Sequence, residues 1–214
     1  MYSVIIPTMW IPETFCDQLR SLCIDPNVSE IIIINNKAES TPKHSILLNS
    51  KIRMINQEKN IFVNPAWNLG VSLATNNQIC ILNDDLLFDT KVFSLITEEV
   101  LLSCGLIGIN MFDFTGDLRY NSIENDAHPF GFGCMMFIHK SRYLRIPEQL
   151  RVMYGDSYLI TRLRTKYPLM VVNGLNNNGV VSATCRNSEV SSIIGAVEQS
   201  ETEYWNYMKD NYDI

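Results

Sequence analysis

The sequence predicts an α/β fold, a single domain in which a mostly parallel central sheet is flanked by helices. Two observations carry this. Short apolar runs, Ser3–Thr8, Glu30–Asn36, Ile79–Leu82 and Leu106–Phe112, alternate with segments whose apolar residues recur every three or four positions, the pattern of strands alternating with amphipathic helices. Two of the runs also end abruptly in oxygen-bearing side chains, Asn35-Asn36 and Asn83-Asp84-Asp85, where an open α/β sheet carries its ligands, just beyond the carboxyl ends of strands. With 214 residues and 46% hydrophobic content, the chain is long enough for one such domain with a sizeable core.

The elements follow in order. Ser3-Val-Ile-Ile-Pro-Thr8 reads as a central first strand that Pro7 ends in a loop able to floor a nucleotide pocket or merely to turn. Glu13–Leu22 forms a helix with Phe15, Leu19 and Leu22 on one face, and Asp25-Pro26-Asn27 turns the chain. Glu30–Asn36 is the second strand, placed beside the first by the right-handed crossover rule. Lys37–Ser50 is polar and irregular, and its His44 is expected at the surface; Ile52–Ile55 is a third, shorter strand.

Asn64-Pro65 predicts a helix start, Asn as cap and Pro at the first helical position, and the helix runs to about Thr75. Asn68 and Gly70 are poor helix formers inside it. Gly70 is explained by close approach to a neighbouring strand, Asn68 by packing or by a hydrogen bond to a ligand. After Asn83-Asp84-Asp85, the stripe Val92, Phe93, Ile96, Val100 and Leu101 predicts a helix from about Thr90, and Asp113–Pro129 a polar loop over the pocket. Gly131 and Gly133 precede another strand reaching Ile138 and allow backbone to approach a ligand. Tyr154-Gly155-Asp156-Ser157 opens a helix closed by Pro168, with Asp156 as cap, as a carboxylate in the cleft, or as both. Leu169–Val172 is the last strand, and from Ser188 a terminal helix turns Ile193, Val197 and Tyr204 inward.

Composition narrows the function. A formal net charge of −6 disfavours a broad surface for nucleic-acid backbone. No apolar run is long enough to span a bilayer and no basic leader precedes the first strand, so the expected location is the cytoplasm. The six cysteines show no CxxC pair and read as reduced thiols, Cys80 within a core strand, with no zinc site. Asp84 and Asp85 have no Lys or Arg beside them. Adjacent carboxylates repel unless solvated, protonated or sharing a cation, and with Asn83 they suit a hard ion such as Mg²⁺ or Mn²⁺, itself suited to a diphosphate; a polar turn is the simpler alternative.

Taken together, these segments resemble the family 2 glycosyltransferases of the GT-A fold, over nearly the whole chain up to about Arg186. Ser3–Thr8 resembles the family's opening strand, Glu30–Asn36 its second, Asn60–Gly70 its Asn-x-Gly loop and helix, Ile81–Asp85 its DxD-type metal motif, and Gly155-Asp156 with Arg162 its acidic acceptor-site motif. The resemblance implies one GT-A-type domain: residues 1–85 a Rossmann-like nucleotide-sugar half, 86–187 an acceptor-side half, and 188–214 a C-terminal helix. It implies transfer of a sugar from a nucleoside-diphosphate sugar, with Asp85, joined by Asn83 or Asp84, holding Mn²⁺ or Mg²⁺ against the diphosphate. Pro7, Thr8 and Asn35 or Asn36 would line the nucleoside, and Asp156 would deprotonate the acceptor hydroxyl with inversion.

The chain also departs from that family. Asn35-Asn36 stands where an Asp is common, which predicts a relaxed or altered nucleoside preference. Asn83 opens the metal motif and lowers its charge, and the His often found after the last strand is missing from Leu169–Arg186. His128, in the loop before Gly131, reaches the sugar or diphosphate or is simply solvated. The leading expectation is a metal-assisted inverting glycosyltransferase. The alternative is a catalytically silent module on the same fold that holds a nucleotide sugar or glycan. Nucleotidyl transfer is disfavoured because Pro7–Pro12 lacks a Gly- and basic-rich phosphate loop. A surface polysaccharide, lipid-linked glycan, protein or modified nucleic-acid base each offers the acceptor hydroxyl.

Overall fold

Ile31–Ile34, the most apolar run of the chain, is wholly buried, because it lies in a sheet covered on both faces. The computed structural model describes residues 1–123, 129–177 and 187–212. The described strands are β1 (Tyr2–Thr8), β2 (Val28–Asn35), β3 (Ile52–Asn56), β4 (Gln78–Leu82), β5 (Leu106–Ile109), β6 (Arg119–Ser122), β7 (Met135–His139) and β8 (Leu169–Asn173). The described α-helices are α1 (Phe15–Ile24), α2 (Val63–Leu73), α3 (Val92–Leu95), α4 (Glu98–Ser103), α5 (Gly155–Arg164) and α6 (Ser188–Tyr212).

The strands form one sheet in the order β3-β2-β1-β4-β7-β5-β8-β6. β1 is parallel to β2 and β4, β2 to β3, and β5 to β8. β7 runs antiparallel between β4 and β5, and β6 antiparallel to β8. Successive strand residues point to opposite faces, so Val4, Ile6, Ile31 and Ile33 enter one core with Phe15, Leu19 and Phe93. Ile5, Ile32 and Ile34 enter the other with Trp67, Leu159 and Trp205.

Several expected boundaries move, each for a visible reason. Pro7 does not end β1, whose pairing with β2 continues to Thr8–Asn35 while the β4 ladder stops at Ile5–Ile81. The helix expected from Thr90 is two short ones. Ile96 O accepts from Tyr2 Oη at 2.6 Å, and Thr97 then caps α4 by accepting from Val100 N at 3.3 Å. β6 lies within the expected polar loop, because an exposed edge strand needs no hydrophobic alternation. His44 is half-buried and caps a 3₁₀ turn by accepting from Ile46 N at 3.1 Å. Asn64 is not the cap of α2. It is a buried second residue whose Nδ2 donates to Leu150 O and Met153 O at 3.1 and 3.0 Å, tying α2 to the segment before α5.

Gly70 meets the close-approach reading, for a Cβ there would run into Ile5 Cγ2 of β1. Helix propensity favours Ala at such a site by about 1 kcal/mol, but overpacking a closed core costs about 1–3 kcal/mol. Gly70→Ala is therefore expected to lower stability by about 1–2 kcal/mol, read as an earlier denaturation midpoint. A rise in midpoint would mean that β1 and α2 are not held this closely.

Candidate active site

The carboxyl ends of β1, β2 and β4 share one edge of the sheet, and a cavity of about 720 Å³ opens there. It is lined by Pro7, Thr8, Asn83 and Asp84 at the strand ends, by Asn36, by residues 129–134, and by the starts of α2 and α5, which pack against each other where a Cβ on Gly155 would meet Asn64. α6 closes the top with Val190, Ile193 and Ile194.

On the β2 side the two amides divide their work. Asn35 is fully buried and does not line the cavity. Its Oδ1 accepts from Trp10 Nε1 at 2.9 Å and Lys37 N at 3.1 Å, while Nδ2 donates to Thr41 Oγ1 and Asn56 Oδ1, each at 2.8 Å. A saturated amide has nothing left for a ligand. Asn36 does line the cavity, and its Oδ1 accepts from Ile61 N at 3.1 Å, holding the loop before α2. Asn68 is likewise committed inside the protein: Nδ2 donates to Ile146 O at 2.9 Å, and Oδ1 accepts from Tyr143 Oη at 2.9 Å and Ile146 N at 3.0 Å. The ligand contact expected of Asn35 and Asn68 is thus replaced by tertiary ties.

After β4, Asn83 and Asp84 line the cavity and Asp85 does not; Asp85 is 7% exposed and engaged elsewhere. Of the two carboxylates, it is Asp84 that faces the cavity. Asp84 Oδ2 accepts from Thr8 Oγ1 at 2.6 Å. Burial, reinforced by the neighbouring Asp85 charge, pushes its carboxyl up to about 7 against the hydrogen bonds from Thr8 and from backbone that lower it. Between pH ~4 and ~7 the folded chain keeps a proton that the unfolded chain releases, so this group makes stability fall as pH rises. Asp84→Asn keeps an oxygen for Thr8 and is expected to raise stability by on the order of 1–2 kcal/mol above pH 7 and by nothing below pH 4. Equal melting temperatures at both pH values would remove the strain ascribed to Asp84.

A divalent cation fits this edge in a limited way. Among the described residues no three His, Cys, Asp or Glu side chains converge as a metal cage. One costly buried carboxylate and one amide suit an ion that takes its remaining ligands from substrate phosphate and water, as Mg²⁺ commonly does.

Asp156 is the second residue of α5, inside its first turn and lining the same cavity. It is not the cap, since Tyr154 holds that position in a left-handed conformation at φ 60°. Asp156 Oδ1 accepts from Ser157 N at 2.7 Å and from Ser157 Oγ at 3.5 Å. Its other contact is backbone without a side chain: a Cβ on Gly133 would lie 3.0 Å from Asp156 Cβ. The space beside Gly131 is filled by Met111, so both glycines admit the protein's own side chains.

The segment carrying Asp156 is held from α6. Glu201, fully buried, accepts from Val152 N at 3.1 Å and from Met153 N at 2.7 Å. Tyr154 stacks on Trp205 at 5.5 Å between centroids and meets Thr202 Oγ1 through its hydroxyl at 2.9 Å. Lys37 beside Asn36 pairs with Glu189 at 2.6 Å, joining the far side of the cavity to the same helix. None of these roles was foreseen. The inward face expected of this helix was Ile193, Val197 and Tyr204; the buried stripe is Val190, Val197, Glu201, Trp205 and Met208, with Ile193 and Tyr204 half-buried, and a Glu on that face reads as a surface residue until its partners are known. Trp67 also lines the cavity, with its Nε1–H without a partner. His128 and Cys185 lie outside the described residues.

No protein-family model and no curated protein sequence matches the chain. Solved structures do. S. aureus TarS 1-349 superimposes at a TM-score of 0.57 with 14% identity, over 80% of this chain and 58% of that one. Its complex with UDP-GlcNAc gives 0.56 and 12%, over 80% and 56%. GalNAc-T7 with UDP, GalNAc and Mn²⁺ gives 0.61 and 11%, over 83% and 43%. The chain therefore spans about half the length of these GT-A-type glycosyltransferases and has their fold. No described helix is long and apolar enough to cross a membrane.

Proposed function

We propose that the protein is an inverting glycosyltransferase that uses a nucleoside-diphosphate sugar and a divalent cation. The observation that carries this is that Asp84 and Asp156 line one cavity at the carboxyl edge of a GT-A-like sheet. Pro7, Thr8 and Asn36 hold the nucleoside end, and Asn83 with Asp84 holds Mn²⁺ or Mg²⁺ against the diphosphate. The bound ion would supply charge neutralisation for the departing diphosphate. Asp156 takes the proton of the acceptor hydroxyl as its oxygen attacks the anomeric carbon from the face opposite the leaving group, which inverts that centre. The apolar roof from α6 excludes water that would otherwise compete as acceptor.

A charge argument supports the cation. The charged side chains of the described cavity wall are Asp84 and Asp156, and a diphosphate beside two carboxylates needs a counter-charge. The amide of Asn36, able to donate or accept where a carboxylate only accepts, supports a relaxed nucleoside preference. Thermal shift with uridine, guanosine, thymidine and cytidine diphosphates, each with and without Mn²⁺, tests both points. A ligand at a hundred times its Kd stabilises by about 2.7 kcal/mol, so a Mn²⁺-dependent rise of several degrees with more than one nucleotide is expected. No shift with any of them would overturn the donor reading, and a strict uridine preference would overturn the part assigned to Asn36.

A further inference from the structure

We propose that Phe112 and Phe130 form a stacking platform for a sugar ring of a neutral glycan, which makes that glycan the acceptor class. Phe112 is 67% exposed and Phe130 69%, yet their rings stack on each other with centroids 5.1 Å apart and planes 17° from parallel. A clustered exposed aromatic surface marks a binding site more often than apolar residues exposed singly do.

The backbone segments that carry the rings are tied together. Met111 N donates to Phe130 O at 3.3 Å, joining the two segments, and Phe112 N donates to Asn110 Oδ1 at 3.2 Å. A platform already ordered loses little freedom when a ligand covers it.

Its position says what covers it. Phe130 lines the cavity along with Gly133 and Asp156. Phe112 follows β5, which lies three strands from β1 through β4 and β7, or about 14 Å at ~4.8 Å per step. That is the side away from Pro7, Thr8 and Asn36. A ligand on the rings therefore reaches Asp156 from the side opposite the nucleoside. This rests on the reading of Asp156 as the base that meets the acceptor.

Size and charge narrow the occupant. The exposed surface of the two rings is on the order of 300 Å², short of the ~800 Å² per partner of a stable protein interface. It matches one or two sugar rings. A pyranose presents axial C–H groups on one face, which meet the negative face of an aromatic ring, and hydroxyls around its edge, one of which goes to Asp156. The net charge of −6 and the two carboxylates of the cavity oppose a polyanionic acceptor.

Saturation-transfer NMR on the intact chain, with methyl glycosides of glucose, galactose and N-acetylglucosamine, with cellotriose and chitotriose, and with adenosine as a base probe, tests the proposal. Expected is transfer to ring-face protons of at least one sugar probe, an affinity about tenfold weaker in Phe112→Ala and in Phe130→Ala, and retention in Phe112→Tyr. Phe112 lies outside the cavity wall, so nucleoside-diphosphate binding by Phe112→Ala should match wild type in calorimetry. Absence of transfer to every sugar, transfer to adenosine alone, or sugar binding unmoved by both alanine variants would overturn the platform. If no nucleoside diphosphate binds while sugars still require Phe112, the donor reading fails and the platform stands.

Discussion

Asp156→Asn is expected to lower sugar transfer by at least ~10²-fold, the usual contribution of a general base, with donor binding and melting temperature nearly unchanged. The carboxylate faces the cavity from the first turn of α5, and Asn retains an oxygen to accept from Ser157 N, so the helix start survives the change. What disappears is the proton acceptor. Hydrolysis of donor to water should fall less, because water reorients more freely than an acceptor sugar. Turnover left intact with stability lowered by about 1 kcal/mol, the worth of a local helix-start contact, would make Asp156 structural and put the base elsewhere in the cavity.

The second large effect is expected away from the reacting atoms. Glu201→Ala removes the acceptor for two backbone N–H groups, Val152 and Met153, and opens a hole in the fully buried stripe of α6. An orphaned N–H costs roughly 1–3 kcal/mol, so a loss of about 2–4 kcal/mol is expected, read from urea unfolding. Glu201→Gln keeps one oxygen, placed to accept from Met153, and should lose about half as much. At temperatures where both variants remain folded, kcat should fall with little change in donor KM, because the segment they loosen carries Asp156 and not the nucleoside. Equal loss in kcat and in donor affinity would mean that α6 shapes the whole cavity and not the base alone.

The sheet was legible in the sequence because its strands are continuous apolar runs, and such runs have few other uses in a chain of this charge. Strand direction was not legible. The run ending at Ile138 has the same composition whether it lies parallel or antiparallel, and β7 is antiparallel on both sides. Residue type failed in a consistent way at the site. Asn35, Asn36, Asn64 and Asn68 were equally suited to bind a ligand or to satisfy buried backbone and side-chain groups, and of the four only Asn36 faces the cavity. The acidic residues fared better, since a buried carboxylate costs more than an amide and needs a stronger reason to be present. Even so, spacing within a turn does not say which side chain points into the cavity, and of the pair it is Asp84 that does.

The clasp made by Lys37–Glu189, Glu201 and Trp205 sets a schedule for the chain during its synthesis. Residues emerge from the ribosome amino end first, so the floor of Pro7, Thr8, Asn83 and Asp84 leaves long before the helix that roofs it and steadies Asp156. Until Ser188–Tyr212 docks, the edge is an open shelf on which a donor could bind but where water reaches the anomeric carbon as readily as any acceptor. On the proposed reading, competence for transfer, as distinct from binding, then waits on the docking of that helix.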